Sequence, residues 1–461
     1  MHWAALSGFV LMLCARGILP GLVACIALIP LCHALRLART PLQAGRWTFI
    51  AQVGLLLTAF EGAAPAIPWS FPLLILLAAP SAMLPGFLHH LLAKEWKGRP
   101  TLWLLPFLWT ASEFIASRRE IWGQLASPVA LGYTQFDGPL MLLASIGGMS
   151  AVTLAVLVVN VGVYRAVLSR RYSRLLLPLA LVIACTIPRF TTEEVDQAPK
   201  ATIGIVQPAL ESSWYELAGE LDRAQAVIEG RLSTLGQEVM EADLIVWPEG
   251  ALPAGPVPAL SSGFGTYAFD RPDLLSGAIS TRDGKRYNSV VRVSGRSAVA
   301  VFDKLAPVPI GESAFSPGTR LTVGHWGGIW SAPLICLDSL YPQFARRLAL
   351  QGAEALLVLS DDSFARQTIT PRLHLRTSAF RAVETGLPLV FVSAHGPSAL
   401  IGPHGQVLAA TEYGKAEALL AQVPRNGATT LYVRFGEWIG YFSTFLTLSL
   451  VMVQLLHRRR W

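Results

Sequence analysis

Three ionisable residues in this 461-residue chain each close a short apolar run. Leu244-Ile245-Val246-Trp247-Pro248 leads into Glu249, Ala298-Val299-Ala300-Val301-Phe302-Asp303 into Lys304, and Trp330-Ser331-Ala332-Pro333-Leu334-Ile335 into Cys336. Apolar runs of this length, bounded by turn residues, read as buried strands. A side chain at the end of such a strand projects into whatever cavity lies there. The three residue types are chemically complementary. A thiol needs a base to become a thiolate, and a cation can hold the negative charge that forms later. Taken singly they say little. A lone cysteine is most often a small buried hydrophobe, and a lone Glu or Lys at a strand end is usually solvated. Their combination and order carry the meaning.

The elements that must position them divide by composition. The chain is 52% hydrophobic and only 15% charged, against about 25% charged in soluble domains. Residues 1–190 are nearly continuous apolar blocks, while 199–434 reads as ordinary globular sequence. A membrane part and a soluble part follow. The net charge is +7, but the basic residues cluster beside apolar segments. Membrane topology therefore explains them, and no nucleic-acid partner is expected. Cys14, Cys25, Cys32 and Cys185 fall in apolar blocks, which leaves Cys336 without a disulfide partner in the soluble region. No Cys-x-x-Cys metal signature occurs. The first apolar block ends at Arg16 with no small-residue cleavage site, and more blocks follow, so it does not read as a cleavable signal.

Seven spans are expected before the soluble domain: roughly Trp3–Ala15, Leu19–Leu35, Thr48–Phe60, Phe71–Leu91, Thr101–Ile115, Leu140–Val163 and Leu175–Ile187. An eighth, Trp438–Leu456, closes the chain. The first, third, fifth and seventh are short against the usual length of about 20 residues. Arg36, Arg39 and Arg46 follow the second span, Lys94, Lys97 and Arg99 the fourth, and Arg165, Arg170, Arg171 and Arg174 the sixth. By the positive-inside bias both termini are cytoplasmic and the soluble domain lies on the opposite, periplasmic face of the inner membrane. Glu113 falls inside the fifth span. It reads either as a functional intramembrane carboxylate or as an interfacial one beside Arg118 and Arg119.

In the soluble part, strands are expected at Lys200–Val206, Leu244–Trp247, Leu274–Ile279, Ser289–Val293, Ala298–Phe302, Ala355–Leu359, Leu389–Ser393 and Ser398–Ile401. Asp283-Gly284 marks a hairpin turn. Helices are expected at Ser213–Met240, capped by Ser212 or Ser213, then near Gln343–Gln351 and Pro371–Glu384. Alternating helices and strands favour stacked sheets faced by helices.

Trp247-Pro248-Glu249, then Lys304, then Ile335-Cys336 resembles the nitrilase superfamily, whose catalytic set is Glu-Lys-Cys. Lys304-Leu305-Ala306-Pro307-Val308-Pro309-Ile310-Gly311-Glu312 is similar to the "K…L-V-P-F-G-E" segment of the apolipoprotein N-acyltransferase family, the membrane-bound branch. Trp122, Gly132-Tyr133-Thr134-Gln135, Pro139-Leu140 and Gly147-Gly148 resemble the same family outside the soluble domain. The resemblance implies an α-helical transmembrane bundle, residues 1–190 plus 438–456, and an α-β-β-α sandwich over 199–434. It implies Glu249 as general base, Lys304 as oxyanion stabiliser, Cys336 as nucleophile, Glu312 as a second active-site carboxylate, and Glu312 and Asp338 as residues that support the catalytic set or orient substrate. It further implies a phospholipid acyl donor, a lipoprotein acceptor, no metal or organic cofactor, and action as a monomer. His374, Arg381, Glu384 and Pro388 resemble a family helix whose role is structural.

Two departures stand out. Leu337-Asp338 replaces the family's Tyr-Glu after the cysteine, and Ser360-Asp361-Asp362-Ser363-Phe364-Ala365 replaces Ser-Asn-Asp-Ala-Trp-Phe. Both segments are expected around the pocket. The TraB proteins of conjugal transfer share this architecture with a divergent pocket and form an alternative, as does a membrane-anchored carbon-nitrogen amidohydrolase. Trp326 and Trp330 are expected in the core or at the membrane interface rather than on substrate.

Overall fold

The structure is a computed structural model. It describes residues 1–95, 101–123, 129–191, 200–210, 222–256, 273–294, 297–309, 311–424 and 429–458. Two compact units emerge, Met1–Glu194 with Arg434–Trp461, and Val195–Val433.

The first unit is helical. Three of its described helices are long and apolar enough to cross a membrane: Ser70–Ala93, Pro139–Ser169 and Trp438–His457. Shorter apolar helices are His2–Ala15, Gly21–Leu37 and Thr101–Ala116. The helix Pro41–Phe60 begins well before the expected Thr48. Thr40 caps it by accepting from the Gln43 N–H, and Pro41 fills the first turn, where no N–H is needed. The apolar segment Gly21–Leu37 is broken. A short 3₁₀ turn and the helix Ala24–Ala27 precede a second helix, Ile29–Leu37. Asn160 heals the break by accepting from the Leu28 N–H at 2.7 Å and donating to the Ala24 carbonyl at 2.9 Å. The helix Ala144–Ser169 is kinked at Gly147 and Gly148, where Gly148 has φ 67°.

Glu113 fits neither expectation fully. Its Oε1 accepts from Trp109 Nε1 at 2.7 Å and the Leu131 N–H at 3.0 Å, while Oε2 accepts from Thr153 Oγ1 at 2.9 Å. Arg118 turns instead to Glu437, at 2.8 Å. Glu113 therefore ties together three segments of the first unit, because a carboxylate in apolar surroundings must collect donors.

The second unit is built on two sheets. Its strands are β1 (Ala201–Gln207), β2 (Leu244–Val246), β3 (Leu252–Pro256), β4 (Asp273–Arg282), β5 (Lys285–Ser294), β6 (Ser297–Asp303), β7 (Gly324–Trp326), β8 (Ile329–Ile335), β9 (Ala355–Ser360), β10 (Leu389–Ser393), β11 (Ala399–Ile401), β12 (Val407–Ala410) and β13 (Glu417–Val423). The first sheet runs β13-β1-β2-β4-β5-β6, with β3 beside β4, and the second runs β12-β11-β10-β9-β8-β7. The two-residue side-chain period sorts the core. Ile203, Ile205, Val246, Leu275 and Val290 of the first sheet meet Ile335, Leu357, Leu359, Val390 and Val392 of the second. Val206, on the other face of β1, packs with Ile228, Leu232 and Leu235 of the helix Asp222–Gln237. The helix Thr370–Thr385 covers β10 and β11. The arrangement is an α-β-β-α sandwich. The start of the first expected helix, with its candidate caps Ser212 and Ser213, lies outside the described residues.

Register then fixes what can meet. The β4–β5 hairpin turns at Asp283 and Gly284, with φ 51° and 71°, as two-residue turns between twisted strands require. In β5 and β6 Ser289 faces Asp303, which sets Lys304 next to Asn288. In β8 and β9 Ile335 faces Leu359, which sets Cys336 next to Ser360.

Candidate active site

Glu249 lies just beyond β2. The Trp247 N–H donates to Leu275 O at 2.9 Å and the Gly277 N–H to Pro248 O at 3.1 Å, so the post-strand turn stays sewn to β4. Lys304 follows β6 directly, its N–H donating to Asn288 O at 2.8 Å. Cys336 follows β8 and opens a 3₁₀ turn, Cys336–Leu340, with φ 47°. A non-glycine residue at positive φ is uncommon and costs roughly 1–3 kcal/mol, so the surrounding structure must hold it there. The cysteine is therefore presented from a tight elbow rather than from the strand itself.

The charged side chains converge. Lys304 Nζ donates to Glu249 Oε1 at 2.9 Å and to Glu312 Oε2 at 2.7 Å. Only 2% of the Lys304 side chain is exposed, with 9% of Glu249 and 15% of Glu312. Asn288 Nδ2 donates to both carboxylates, to Glu249 Oε1 and to Glu312 Oε1, each at 2.7 Å. The backbone N–H of Asp361 donates to Glu249 Oε2 at 2.9 Å, and that of Val308 to Glu312 Oε2 at 2.7 Å. Both oxygens of each carboxylate are thus engaged, and one ammonium serves two negative groups. A buried ion pair needs this degree of hydrogen bonding to offset its desolvation.

Electrostatics sort the protons. Burial pushes the Cys336 thiol well above its ordinary range, and the negative charge of Glu249 adds to the effect while Lys304 opposes it. At rest Cys336 is a thiol. Burial likewise raises Glu249, with Lys304 pulling the other way and Glu312 reinforcing the rise. A base brought nearer the thiol in proton affinity is better matched to take its proton. Burial works against the Lys304 ammonium, but the Cys336 sulfur once ionised, together with the Glu249 and Glu312 carboxylates, outweighs it and holds its pKa well above the usual lysine value. Lys304 therefore stays cationic.

Asp338 is fully buried. It accepts from the Ala306 N–H at 2.8 Å, the Leu305 N–H at 3.2 Å and the Ile335 N–H at 3.3 Å. Its carboxylate clamps the loop after Lys304 to the strand before Cys336. Burial pushes its pKa up to about 7 against Lys304 and these three donors. Trp326 is core and Trp330 is half exposed against His325. Phe364 is exposed.

Asn288 escaped the sequence reading, His374 was expected only to pack, and Asp362 was expected around the pocket without a partner. Asn288 looked like the fringe of a strand. His374 fell in a helix read as packing only, yet it reaches the Cys336 carbonyl. The i,i+3 pair Arg381–Glu384 in the same helix is fully buried at 2.7 Å, a packing role.

Comparisons with known proteins match both parts of the chain. The carbon-nitrogen hydrolase family model matches residues 202–432, and the model of the apolipoprotein N-acyltransferase N-terminal domain matches residues 7–162. An apolipoprotein N-acyltransferase of Vibrio vulnificus is 26% identical over 75% of this chain and 73% of its own. That of Photobacterium profundum is 26% identical over 82% of this chain and 78% of its own. Among solved structures, an amidase from Nesterenkonia sp. is 19% identical, covers 53% of this chain and 96% of its own, and superposes with a TM-score of 0.37. The chain belongs to the carbon-nitrogen hydrolase family, in the apolipoprotein N-acyltransferase branch.

Proposed function

We propose that the protein moves a fatty acyl group from a phospholipid to the N-terminal amine of a lipoprotein's diacylglyceryl-cysteine, through a thioester on Cys336. Glu249 takes the Cys336 proton. The thiolate attacks the ester carbonyl, and Lys304, with the Leu337 N–H, holds the oxyanion that forms. Preorganised donors of this kind are each worth about 2.7–4 kcal/mol of barrier. The carbon–oxygen bond then breaks, and Glu249 returns the proton to the departing lysophospholipid. The acceptor amine attacks the thioester, Glu249 accepts its proton, the carbon–sulfur bond breaks and Cys336 is restored as a thiol. Glu312 shares the Lys304 charge and fixes its direction. Asp338 keeps the Lys304 loop and the nucleophile turn in register.

The observation that carries this reading is the buried Glu249–Lys304–Glu312 cluster, whose charges act on the Cys336 thiol. Both proposed substrates carry fatty chains, and burial of each CH₂ is worth roughly 0.8 kcal/mol. Anchoring the sandwich, proposed as 199–434, through apolar helices in 1–190 and 438–456 concentrates both at the enzyme. The arginines and lysines flanking these helices support cytoplasmic termini and a periplasmic catalytic domain in the inner membrane. The relatives named above carry the N-acyltransferase name, and the conjugal-transfer and amidohydrolase readings are not better supported. The test is complementation of a strain depleted of its own N-acyltransferase, with a reporter lipoprotein read by mass spectrometry. Wild type should restore N-acylation and Cys336→Ala should not. N-acylation by Cys336→Ala would end the reading.

A further inference from the structure

The mechanism above leaves one buried pair unused. His374 and Asp362 are 7% and 3% exposed. Both carboxylate oxygens of Asp362 lie 3.0 Å from His374 Nδ1, and Ser360 Oγ donates to Asp362 Oδ2 at 2.9 Å. On the other side of the ring, Nε2 lies 3.1 Å from the carbonyl oxygen of Cys336 and 3.0 Å from Ser339 Oγ. Ser339 Oγ also lies 2.8 Å from the Cys336 carbonyl and 2.9 Å from Ser378 Oγ, and with its proton on the carbonyl it turns lone pairs to the ring. Both imidazole nitrogens thus look at acceptors. A neutral imidazole has only one N–H. The arrangement is satisfied when both nitrogens carry hydrogen, with Asp362 as the counter-charge.

We propose that Asp362 and His374 form a positioning pair, in which a cationic His374 donates to the backbone carbonyl of Cys336 and holds the nucleophile in its positive-φ turn. The proposal rests on Cys336 being the nucleophile. The strain at Cys336, φ 47°, needs a restraint, and two donors on one carbonyl supply it. The carbonyl belongs to the same peptide unit as the Leu337 N–H, so drawing on its oxygen also strengthens that N–H as a donor. Burial opposes the charge on His374, and the Asp362 carboxylate beside it prevails, raising the imidazole above its ordinary pKa. The pair is not a second general base. With Nδ1 turned to Asp362 and Nε2 turned to the carbonyl, no ring lone pair is left for the Cys336 proton, and that task stays with Glu249.

The pair is tested with the full-length protein in detergent, a phosphatidylethanolamine donor and a synthetic diacylated lipopeptide acceptor. Acyl-enzyme formation is followed in a single turnover against donor concentration for wild type, His374→Ala, His374→Gln, Asp362→Asn and Cys336→Ala. A misplaced nucleophile costs on the order of 100-fold in rate. His374→Ala should lose about that much from the limiting rate while the half-saturating donor concentration holds. His374→Gln keeps a donor at the Nε2 position and should recover most of the loss. Asp362→Asn, which no longer stabilises the ring cation, should fall toward the alanine level. An unchanged His374→Ala or Asp362→Asn overturns the pair, and so does a His374→Gln as slow as His374→Ala, because a general base would give that result. The Cys336→Ala arm reads the underlying assignment separately: acyl-enzyme in that variant would sink the nucleophile, whatever His374 does.

Discussion

Gly277 lies against Glu249 so closely that a Cβ on it would come within 2.5 Å of the Glu249 Cα. The same atom would meet Pro248 O at 2.5 Å and Gly250 N at 2.6 Å. All three are backbone atoms, which cannot swing aside. The approach exists because the Gly277 N–H reaches Pro248 O and draws the turn carrying Glu249 onto β4. An uncharged residue in mid-strand therefore sets where the Glu249 carboxylate, the proposed base, sits.

Gly277→Ala should displace Glu249 without altering any ionisable group. Misplacement of about 1 Å is enough to cost roughly 100-fold in turnover. The expected result is a folded protein with kcat down by about that factor and KM for donor little changed. Steady-state kinetics check it, and unaltered kcat would show that the turn relaxes freely.

Cys336 should alkylate slowly at neutral pH. Its thiol is held well above 9 by burial and by the Glu249 charge. The raised value means that the proton stays on as pH climbs through the ordinary thiol range, and only the thiolate reacts. Iodoacetamide modification of the Cys336 peptide, mapped by mass spectrometry, should therefore be a small fraction of the denatured rate at pH 8 and rise only above pH 9. A plateau already reached by pH 7 would mean a preformed thiolate and a different division of labour with Glu249.

Asp338→Ala should destabilise the catalytic unit. It removes the acceptor of three backbone N–H groups, those of Leu305, Ala306 and Ile335. Each buried donor left unpaired costs about 1–3 kcal/mol. A loss of at least about 3 kcal/mol is expected, with Lys304 drifting and activity falling alongside. Asp338→Glu keeps the charge but adds a methylene at a site with no exposed area, which should cost about 1–3 kcal/mol through overpacking. Thermal denaturation of the purified variants reads both, and an unchanged melting temperature in Asp338→Ala would show that the clamp is dispensable.

The ionisable ends of the apolar runs meet in the candidate site; β2 and β8 read as nearly unbroken apolar sequence because they are buried almost throughout, while β6 is equally apolar in sequence although its Val299 is exposed. Strands of other character were missed. β7 is only Gly-His-Trp, β3 contains two prolines, and β12 and β13 are partly exposed with weak alternation. Nothing in the one-dimensional pattern marks Cys336 as left-handed, since that φ is imposed by the turn and its carbonyl restraints. Asp338 was expected to support the site or orient substrate, and spacing alone does not show that the 3₁₀ turn directs it onto three amides. Asn288 was hidden for a similar reason: its importance comes from β5 lying beside β6, a pairing between strands and not a local motif.

The central claim is that Cys336 carries the acyl group between donor and acceptor. The most direct measurement is intact-protein and peptide mass spectrometry after incubation with phospholipid and no acceptor, followed by addition of a diacylated lipopeptide. The account predicts one fatty acyl group on the Cys336 peptide, released by neutral hydroxylamine and discharged onto the lipopeptide amine. An acyl group on another residue, or transfer by Cys336→Ala at the wild-type rate with no acyl-enzyme, would contradict it.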